Sequence, residues 1–287
     1  MSEHLPFRRD PRQWQTVLFV PADRPNMLVK AQGLQADALL IDLEDAVAPE
    51  AKQSARQRLA EMLRDVRLAG PSAVCVRVNA HGEGADEDLE ALAGCSIDAV
   101  VLPKASRPEQ LRPVRAAIDQ RLGEAVTLVP QVESAAGILA AAEIAAAPGV
   151  GAIAFGGEDF CVDLGVARSE ESLELLMPRA LLALHACAAG LSAIDTVWTA
   201  IDDEAGLVRE ARTAKQLGFA GKLLIHPCQI EPVRRVFTPS AGEMDWARRV
   251  LEAGLDGQAG VGVHVVDGKM VDAPVIAQAQ RILARAH

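Results

Sequence analysis

Charged residues and glycines gather at the ends of short apolar runs in this chain. Asp42, Glu44 and Asp45 close DALLIDL, Arg77 and Asn79 close AVCVRVN, Lys104 closes DAVVLPK, and Glu133 follows VTLVPQV. Gly156, Gly157, Glu158 and Asp159 follow GAIAF, while Asp195 and Thr196 lie in LSAIDTV and His226 in GKLLIHP. If these ends meet on one rim, it carries many carboxylates and three basic groups. Converging carboxylates repel one another unless a cation lies among them. Hard oxygen donors, without thiols and with little histidine, favour Mg²⁺ or Mn²⁺ over zinc. Mg²⁺ keeps waters and takes one or two carboxylates plus substrate oxygens. An arginine inside an apolar strand, as Arg77 is, needs anionic partners.

Each of these residues also has a plain structural use. Asp159 can cap the next helix, and Glu133, just before the natural N-cap Ser134, can be an acid favoured by the helix dipole. Glu44 and Asp45 can be solvated loop acids paired with Lys52 or Arg56. Arg77 can sit in a structural ion pair, Lys104 can pair with a rim carboxylate, and His226-Pro227 can hold a turn. Composition and spacing do not choose among these readings.

The elements that must position the rim are legible in outline. Eight runs, 16–21, 37–43, 73–79, 98–104, 126–132, 151–157, 191–197 and 221–227, are apolar on both faces and bounded by Gly, Pro or charge. That is how strands buried in a parallel sheet read. Between them, SARQRLAEMLRDV, RPEQLRPVRAAIDQRL, SAAGILAAAEIAAA, MPRALLALHACAA and DDEAGLVREARTAKQLG carry apolar residues at helical spacing. Eight strand–helix alternations predict an α/β fold, a closed (β/α)₈ barrel spanning 1–238. A doubly wound open sheet is second, but it usually shows a glycine fingerprint after its first strand, and PADRPNM has no glycine. In a barrel the carboxyl ends of the strands form the active face, so the rim residues meet there.

Residues 239–287 form a C-terminal extension. SAGE (240–243) is a capping box opening a helix to about Ala253, and Asp267-Gly268 signals a tight hairpin turn. A last helix is expected from Ala273 to about Ala286. The glycines of 255–263 predict a mobile lid or swapped arm, and a helical pair closing the barrel floor is the other reading.

Composition excludes several classes. The 287 residues carry 29 Lys+Arg against 39 Asp+Glu, a net charge of −10, which opposes a broad nucleic-acid or anionic-membrane surface. No apolar run is long enough for a transmembrane helix, and the N-terminus lacks a signal-peptide core. The five cysteines form no CxxC pair, so a zinc site or disulfide framework is not expected. Cys75 and Cys187, in apolar runs, are expected to be buried. These features predict a reduced, cytoplasmic-type protein.

LFVPADRPNMLVKA, DALLIDLEDAVAPEAKQSAR, VRVN, VVLPKAS, QVESAAG, AFGGEDFCVDLG, GFAGKLLIHPCQI and GKMVDAP occur in that order from Thr16 to Asp272. With these motifs the chain resembles the citrate lyase β-subunit-like family, within the HpcH/HpaI aldolase group. The resemblance implies a (β/α)₈ barrel and a Mg²⁺-dependent carbon–carbon lyase. Such enzymes cleave malyl-, citramalyl- or citryl-CoA to acetyl-CoA and a 2-oxo acid, or run the reverse condensation. It casts Glu133 and Asp159 as metal ligands, with Glu133 also near the substrate, and Glu44 and Asp45 as outer acids holding metal-bound waters. It casts Arg77 as the group contacting the reacting carbonyl and enolate oxygen. The amides around Gly156 and Gly157 would receive the substrate carboxylate. Asp272 would be the acid/base on a lid that reaches a neighbouring subunit, which implies a homo-oligomer, a trimer; its plain reading is an N-cap for the last helix. Arg24 and Lys30 match positions near where CoA enters, whereas Arg8, Arg9 and Arg12 have no motif support. Relatives often carry glycine where this chain has Ala22, so its methyl crowds the expected cofactor path.

Other functions stay open. The same enolate chemistry serves an acyl-CoA thioesterase or a malate-synthase-like enzyme. A citrate lyase subunit would use a carrier-protein thioester, and a tail that supplies its own lid favours the stand-alone form. A pyruvate aldolase of the wider group would use a histidine base near strand 1, but none lies between His4 and His81. A non-catalytic relative is disfavoured by the presence of Arg77, Glu133, Asp159 and Asp272.

Overall fold

The computed structural model describes residues 10–65, 72–256 and 264–284. Its strands are β1 (Thr16–Pro21), β2 (Ala38–Asp42), β3 (Ala73–Arg77), β4 (Ala99–Leu102), β5 (Thr127–Val132), β6 (Ala152–Phe155), β7 (Ser192–Asp195) and β8 (Gly221–Leu224). They pair in parallel in chain order, and β8 closes on β1, as the eight-fold alternation predicts. Side chains alternate across each strand. Val17, Leu40, Cys75, Val101, Ala154 and Leu223 therefore point inward and pack with Trp14 into the barrel core. At Gly221 a side chain is excluded, because a Cβ would lie 2.0 Å from the Trp14 carbonyl oxygen.

The surrounding helices are α1 (Pro25–Ala31), α2 (Lys52–Asp65), α3 (Ala85–Ala91), α4 (Leu111–Arg121), α5 (Ala135–Leu139), α6 (Ala141–Ala145), α7 (Gly157–Leu164), α8 (Leu173–Ala188), α9 (Glu204–Leu217) and α10 (Ile230–Phe237). The expected helix over SAAGILAAAEIAAA is two short helices, parted at Ala140, whose ψ of 3° leaves the helical range. Cys75 is buried as expected, but Cys187 is exposed. The buried stripe of α8 runs through Leu175, Pro178, Arg179, Leu182, Ala183 and Ala186. Cys187 follows Ala186 and so turns about 100° away from the stripe.

The apolar runs extend past the strands they contain. β2, β3, β4, β6, β7 and β8 end one to three residues before the runs do. The residues beyond leave the sheet and build the rim, so Gly156 caps and Gly157 opens α7 rather than ending β6.

Contacts divide the chain into two compact units, 1–234 and 235–287. The second contains α11 (Ala241–Asp256), the hairpin β9 (His264–Val266) and β10 (Lys269–Val271), and α12 (Ala273–Ala284). The SAGE capping box is formed: Glu243 N–H donates to Ser240 Oγ at 3.2 Å, and Ser240 N–H donates to Glu243 Oε2 at 2.7 Å. Asp267 and Gly268 both have positive φ, at 53° and 75°, the hairpin turn their types predict. α11 and α12 bury Ala247, Val250 and Ala279 together, with Trp246, Val271 and Ile276 packed on them. Arg8, Arg9 and most of the 255–263 stretch lie outside the described residues. Among the described residues no helix is long and apolar enough to cross a membrane.

Candidate active site

β2 and β3 run side by side with Asp42 directly opposite Arg77. Both side chains point inward at the carboxyl end of the barrel, and Asp42 takes the guanidinium with two bonds, Nε to Oδ1 at 2.8 Å and Nη2 to Oδ2 at 2.7 Å. Glu44 Oε2 lies 3.2 Å from Nη1, and Asp45 Oδ2 lies 3.6 Å from Nη2. The guanidinium carbon sits 4.8 Å from the centre of the Phe19 ring. Burial alone would pull the Arg77 pKa down, but Asp42 first, then Glu44 and Asp45, more than reverse it, so the cation is locked on. Asp42 is itself held by the amides of Glu44 and Ala46.

Glu133 leaves the end of β5 and is 4% exposed. Its Oε1 accepts the Lys104 backbone N–H at 2.7 Å, and its Oε2 accepts the Gln131 amide at 2.6 Å. Lys104 presents that N–H from a left-handed conformation, φ 53°. Burial first, then the charges of Glu44 and Asp159, push Glu133 up to about 7. Asp159, in the first turn of α7, is also raised, by burial and then by Asp45. Glu44 is raised by burial, against the pull of Arg77. Burial and neighbouring negative charge thus make each of these three carboxylates costlier to ionise, as the rim argument requires.

Several plain readings are settled. Lys104 pairs with Glu44 at 3.2 Å. Lys52 does not pair with the Glu44 carboxylate; its Nζ donates to the carbonyls of Leu43 and Glu44 and to Asn79. Arg56 goes to Asp88. His226 holds its turn, its ring accepting the Cys228 N–H at 3.3 Å. Asp195 is not on the rim. It is inward-facing Ile194's neighbour, so alternation sends it outward to Arg179 of α8 and Lys222 of β8.

The glycine amides also differ from expectation. Gly156 N–H is taken by Val132 O at 2.9 Å and Gly157 N–H by Thr196 Oγ1 at 2.8 Å. Neither is free to receive a carboxylate; the next amides, of Glu158 and Asp159, lie in the helix's first turn, which lacks intrahelical acceptors. What glycine supplies here is close approach: a Cβ at Gly156 would lie 2.5 Å from Glu133 Oε2, and one at Gly157 would lie 2.9 Å from Thr196 Oγ1.

A cavity of about 360 Å³ opens above these groups, lined by Asp42, Asp45, Arg77, Gly156, Gly157 and Asp159 among others. Gln131 lines it too, a residue the sequence reading missed. Period-2 alternation back from Glu133 would have found it. Its Oε1 is buried without a hydrogen-bond partner. Arg24 and Lys30 are exposed around α1, Arg24 beside Asp23 at 3.7 Å. Arg12 is bound to Asp10. Ala22 is buried, with its amide on Asp42 O. Asp272 is exposed in the second unit, where Oδ1 caps α12 by accepting the Val275 N–H at 3.1 Å.

Oxygen donors without thiol or imidazole fit a hard divalent cation. Among the described residues no group of three or more Asp, Glu, His or Cys side chains could hold a metal by itself. A two-carboxylate site whose remaining positions go to water and substrate is consistent with this.

A parallel barrel whose active-face carboxylates surround an arginine is a class of site shared with known enzymes. Residues 15–227 match the HpcH/HpaI aldolase/citrate lyase family. The chain is 36% identical to the mitochondrial citramalyl-CoA lyase of Homo sapiens, over 95% of this chain and 85% of that protein. It is 39% identical to a (3S)-malyl-CoA thioesterase of Cereibacter sphaeroides, over 95% and 94%. Its fold matches a crystal structure of protein CitE from Mycobacterium tuberculosis in complex with magnesium, acetoacetate and coenzyme A, at TM-score 0.81 and 37% identity over 96% and 99% of the two chains. The chain belongs to the HpcH/HpaI aldolase/citrate lyase family.

Proposed function

We propose that this protein is a Mg²⁺-dependent lyase that cleaves a 3-hydroxyacyl-CoA thioester to acetyl-CoA and a 2-oxo acid, or joins them in reverse. The observation that carries the reading is the buried Glu133, raised by the charges of Glu44 and Asp159, with Asp159 lining one cavity together with an arginine that keeps its charge. Glu133 and Asp159 would hold the cation, which when bound acidifies the substrate hydroxyl and polarises the ketone. Arg77 supplies a fixed positive charge for the enolate oxygen, where negative charge grows as the carbon–carbon bond breaks. Asp42 keeps the guanidinium from turning. Glu44 and Asp45 orient water at the rim. The amides of the first turn of α7 receive the substrate carboxylate. Asp272 of a neighbouring copy in a homotrimer protonates the enolate carbon. Arg24 and Lys30 meet the CoA phosphates.

The test follows malyl-CoA and citramalyl-CoA with Mg²⁺, measuring acetyl-CoA and 2-oxo acid together. Equal amounts of both, abolished by EDTA and by Glu133→Ala, establish the lyase. Free CoA with intact hydroxy acid would replace this reading with a thioesterase, the activity named for the Cereibacter relative.

Two consequences concern the metal. Gly156→Ala should weaken Mg²⁺ binding by about 10–100-fold, because it displaces Glu133 without removing it; calorimetry would show this, and unchanged affinity would contradict it. The second concerns pH. The folded protein holds the Glu133 proton up to about 7, whereas the unfolded chain releases it near 4.5. The folded state therefore binds more protons across that window, and metal-free stability falls as pH rises through it, by up to about 3 kcal/mol. Mg²⁺ needs the ionised carboxylate. Its stabilisation, read as a shift in Tm, should be larger at pH 8 than at pH 5.5; equal shifts would refute the assignment.

A further inference from the structure

We infer that Arg168 is a positioning residue: it neutralises and fixes the Glu158 carboxylate, so that an anionic ligand can reach the first turn of α7. The inference rests on the lyase reading, which puts the substrate carboxylate on the amides of that turn, and adds a residue to it. Arg168 lies between α7 and α8. Gly165, left-handed at φ 74°, ends α7 and turns the chain back, and the guanidinium returns to the first turn of the helix it follows. Its side chain is 10% exposed. Nη1 donates to Glu158 Oε1 and, at 2.8 Å, to the carbonyl of Val197. Nε donates to Ser172 Oγ at 3.2 Å. Nη2 faces Glu210 Oε1 of α9 at 3.1 Å, a charge contact rather than a directed hydrogen bond. The guanidinium carbon lies 5.2 Å from the centre of the Trp198 ring.

Glu158, Asp159 and Val197 all line the cavity. Arg168 therefore acts from behind the wall on a carboxylate that faces the site. Two bridges join the first turn of α7 to the end of β7. Gly157 N–H donates to Thr196 Oγ1, and Glu158 is tied through Arg168 to the carbonyl of Val197. The first bridge is neutral and serves the backbone. The second carries charge. An acid in a helix's first turn is favoured by the helix dipole, so it competes with any anion that the same amides would take. Among the described residues the Glu158 carboxylate is paired with Arg168 alone. Without that partner a free negative charge would stand beside the place where the substrate carboxylate binds, and like charges a few ångströms apart repel strongly in a partly dry site. Removing Arg168 does not strip the buried network of its cations, because Glu210 keeps Lys222 and Arg179.

The experiment is calorimetry on the full chain, with Mg²⁺ alone and then with pyruvate as the probe anion on the Mg²⁺-loaded protein. Arg168→Met should weaken pyruvate binding by at least about tenfold, the effect of one unpaired like charge. Its Mg²⁺ affinity should hold or rise, because a freed carboxylate attracts a cation. Adding Glu158→Gln to Arg168→Met should restore most of the pyruvate affinity. Arg168→Lys keeps the charge and should stay within about threefold of the parent. With thioester substrate the methionine variant should show the loss in KM rather than in kcat. If the Tm shows that this variant does not fold, Arg168→Gln carries the same expectations, since it keeps a donor for the Val197 carbonyl without the charge. Pyruvate and Mg²⁺ both bound more weakly, with no rescue by Glu158→Gln, would mean that Arg168 only supports the turn, and would overturn the inference. Unchanged pyruvate affinity in a folded variant would overturn it too. If the parent cleaves no thioester, the lyase reading fails, and the pyruvate and Mg²⁺ affinities still decide the role of Arg168. A parent that binds no pyruvate overturns the inference directly.

Discussion

Replacing Arg77 with methionine is expected to lower kcat/KM by at least about 10³-fold. The loss should fall on kcat, because the charge is needed most where the enolate forms. The variant also leaves Asp42 buried without its cation, which breaks a buried pair and costs about 3–5 kcal/mol. Arg77→Lys separates the two effects. Lysine keeps the charge but cannot span both oxygens of Asp42 as the guanidinium fork does. It should fold and still lose about 10²-fold in kcat. Steady-state kinetics with a parallel denaturation curve would check both, and a lysine variant at full kcat would remove Arg77 from the chemistry.

The second large effect lies away from the cavity. Lys222 and Asp195 are fully buried and 2.6 Å apart, joined by Arg179 from α8 and Glu210 from α9. The four tie the β7–β8 edge of the barrel to two helices. Lys222→Met should destabilise by about 3–5 kcal/mol, because the fully buried Asp195 is then left with Arg179 alone, which it shares with Glu210. Glu210 provides a pH signature. Burial would raise its pKa, but Lys222 first, then Arg179 and Arg168, bring it to about 2. The folded state therefore favours the ionised form. The stability this contributes, about 3 kcal/mol, is full above its ordinary value near 4.5 and is lost as pH falls toward 2. Glu210→Gln should be much less stable than the parent at pH 7, and the gap should narrow below pH 4. Urea unfolding at both pH values measures it; a constant gap would show that the carboxylate's charge is not what stabilises.

The strands were legible because both faces of each are buried, which leaves unbroken apolar runs between polar boundaries. Their carboxyl ends were less so, since rim loops such as Leu43 and Val78 stay apolar after leaving the sheet and extend the runs. The acids of the site were legible by type and place, and the likeness to a known family assigned roles that spacing alone left open. Partners were not legible. That Asp42 faces Arg77 depends on the β2–β3 register, and that Asp195 turns outward to Lys222 depends on a one-residue phase within β7. A shift of one residue exchanges the two faces of a strand. The glycine pair after β6 looked like an open amide cradle, yet both amides are already bound. In the tail the local rules sufficed, because a capping box and an Asp-Gly turn depend on neighbours in sequence.

The three tryptophans fall in three different surroundings. Trp14 is sealed in the barrel core, Trp198 follows cavity-lining Val197 with the Arg168 guanidinium 5.2 Å from its ring centre, and Trp246 packs on the α11–α12 core. With no tyrosine in the chain, intrinsic fluorescence comes from these indoles alone. Each reports on one region: barrel melting, ligand arrival at the rim, or loss of the C-terminal unit. Variants that keep one indole at a time would let a single optical signal follow the three events separately, without any attached dye.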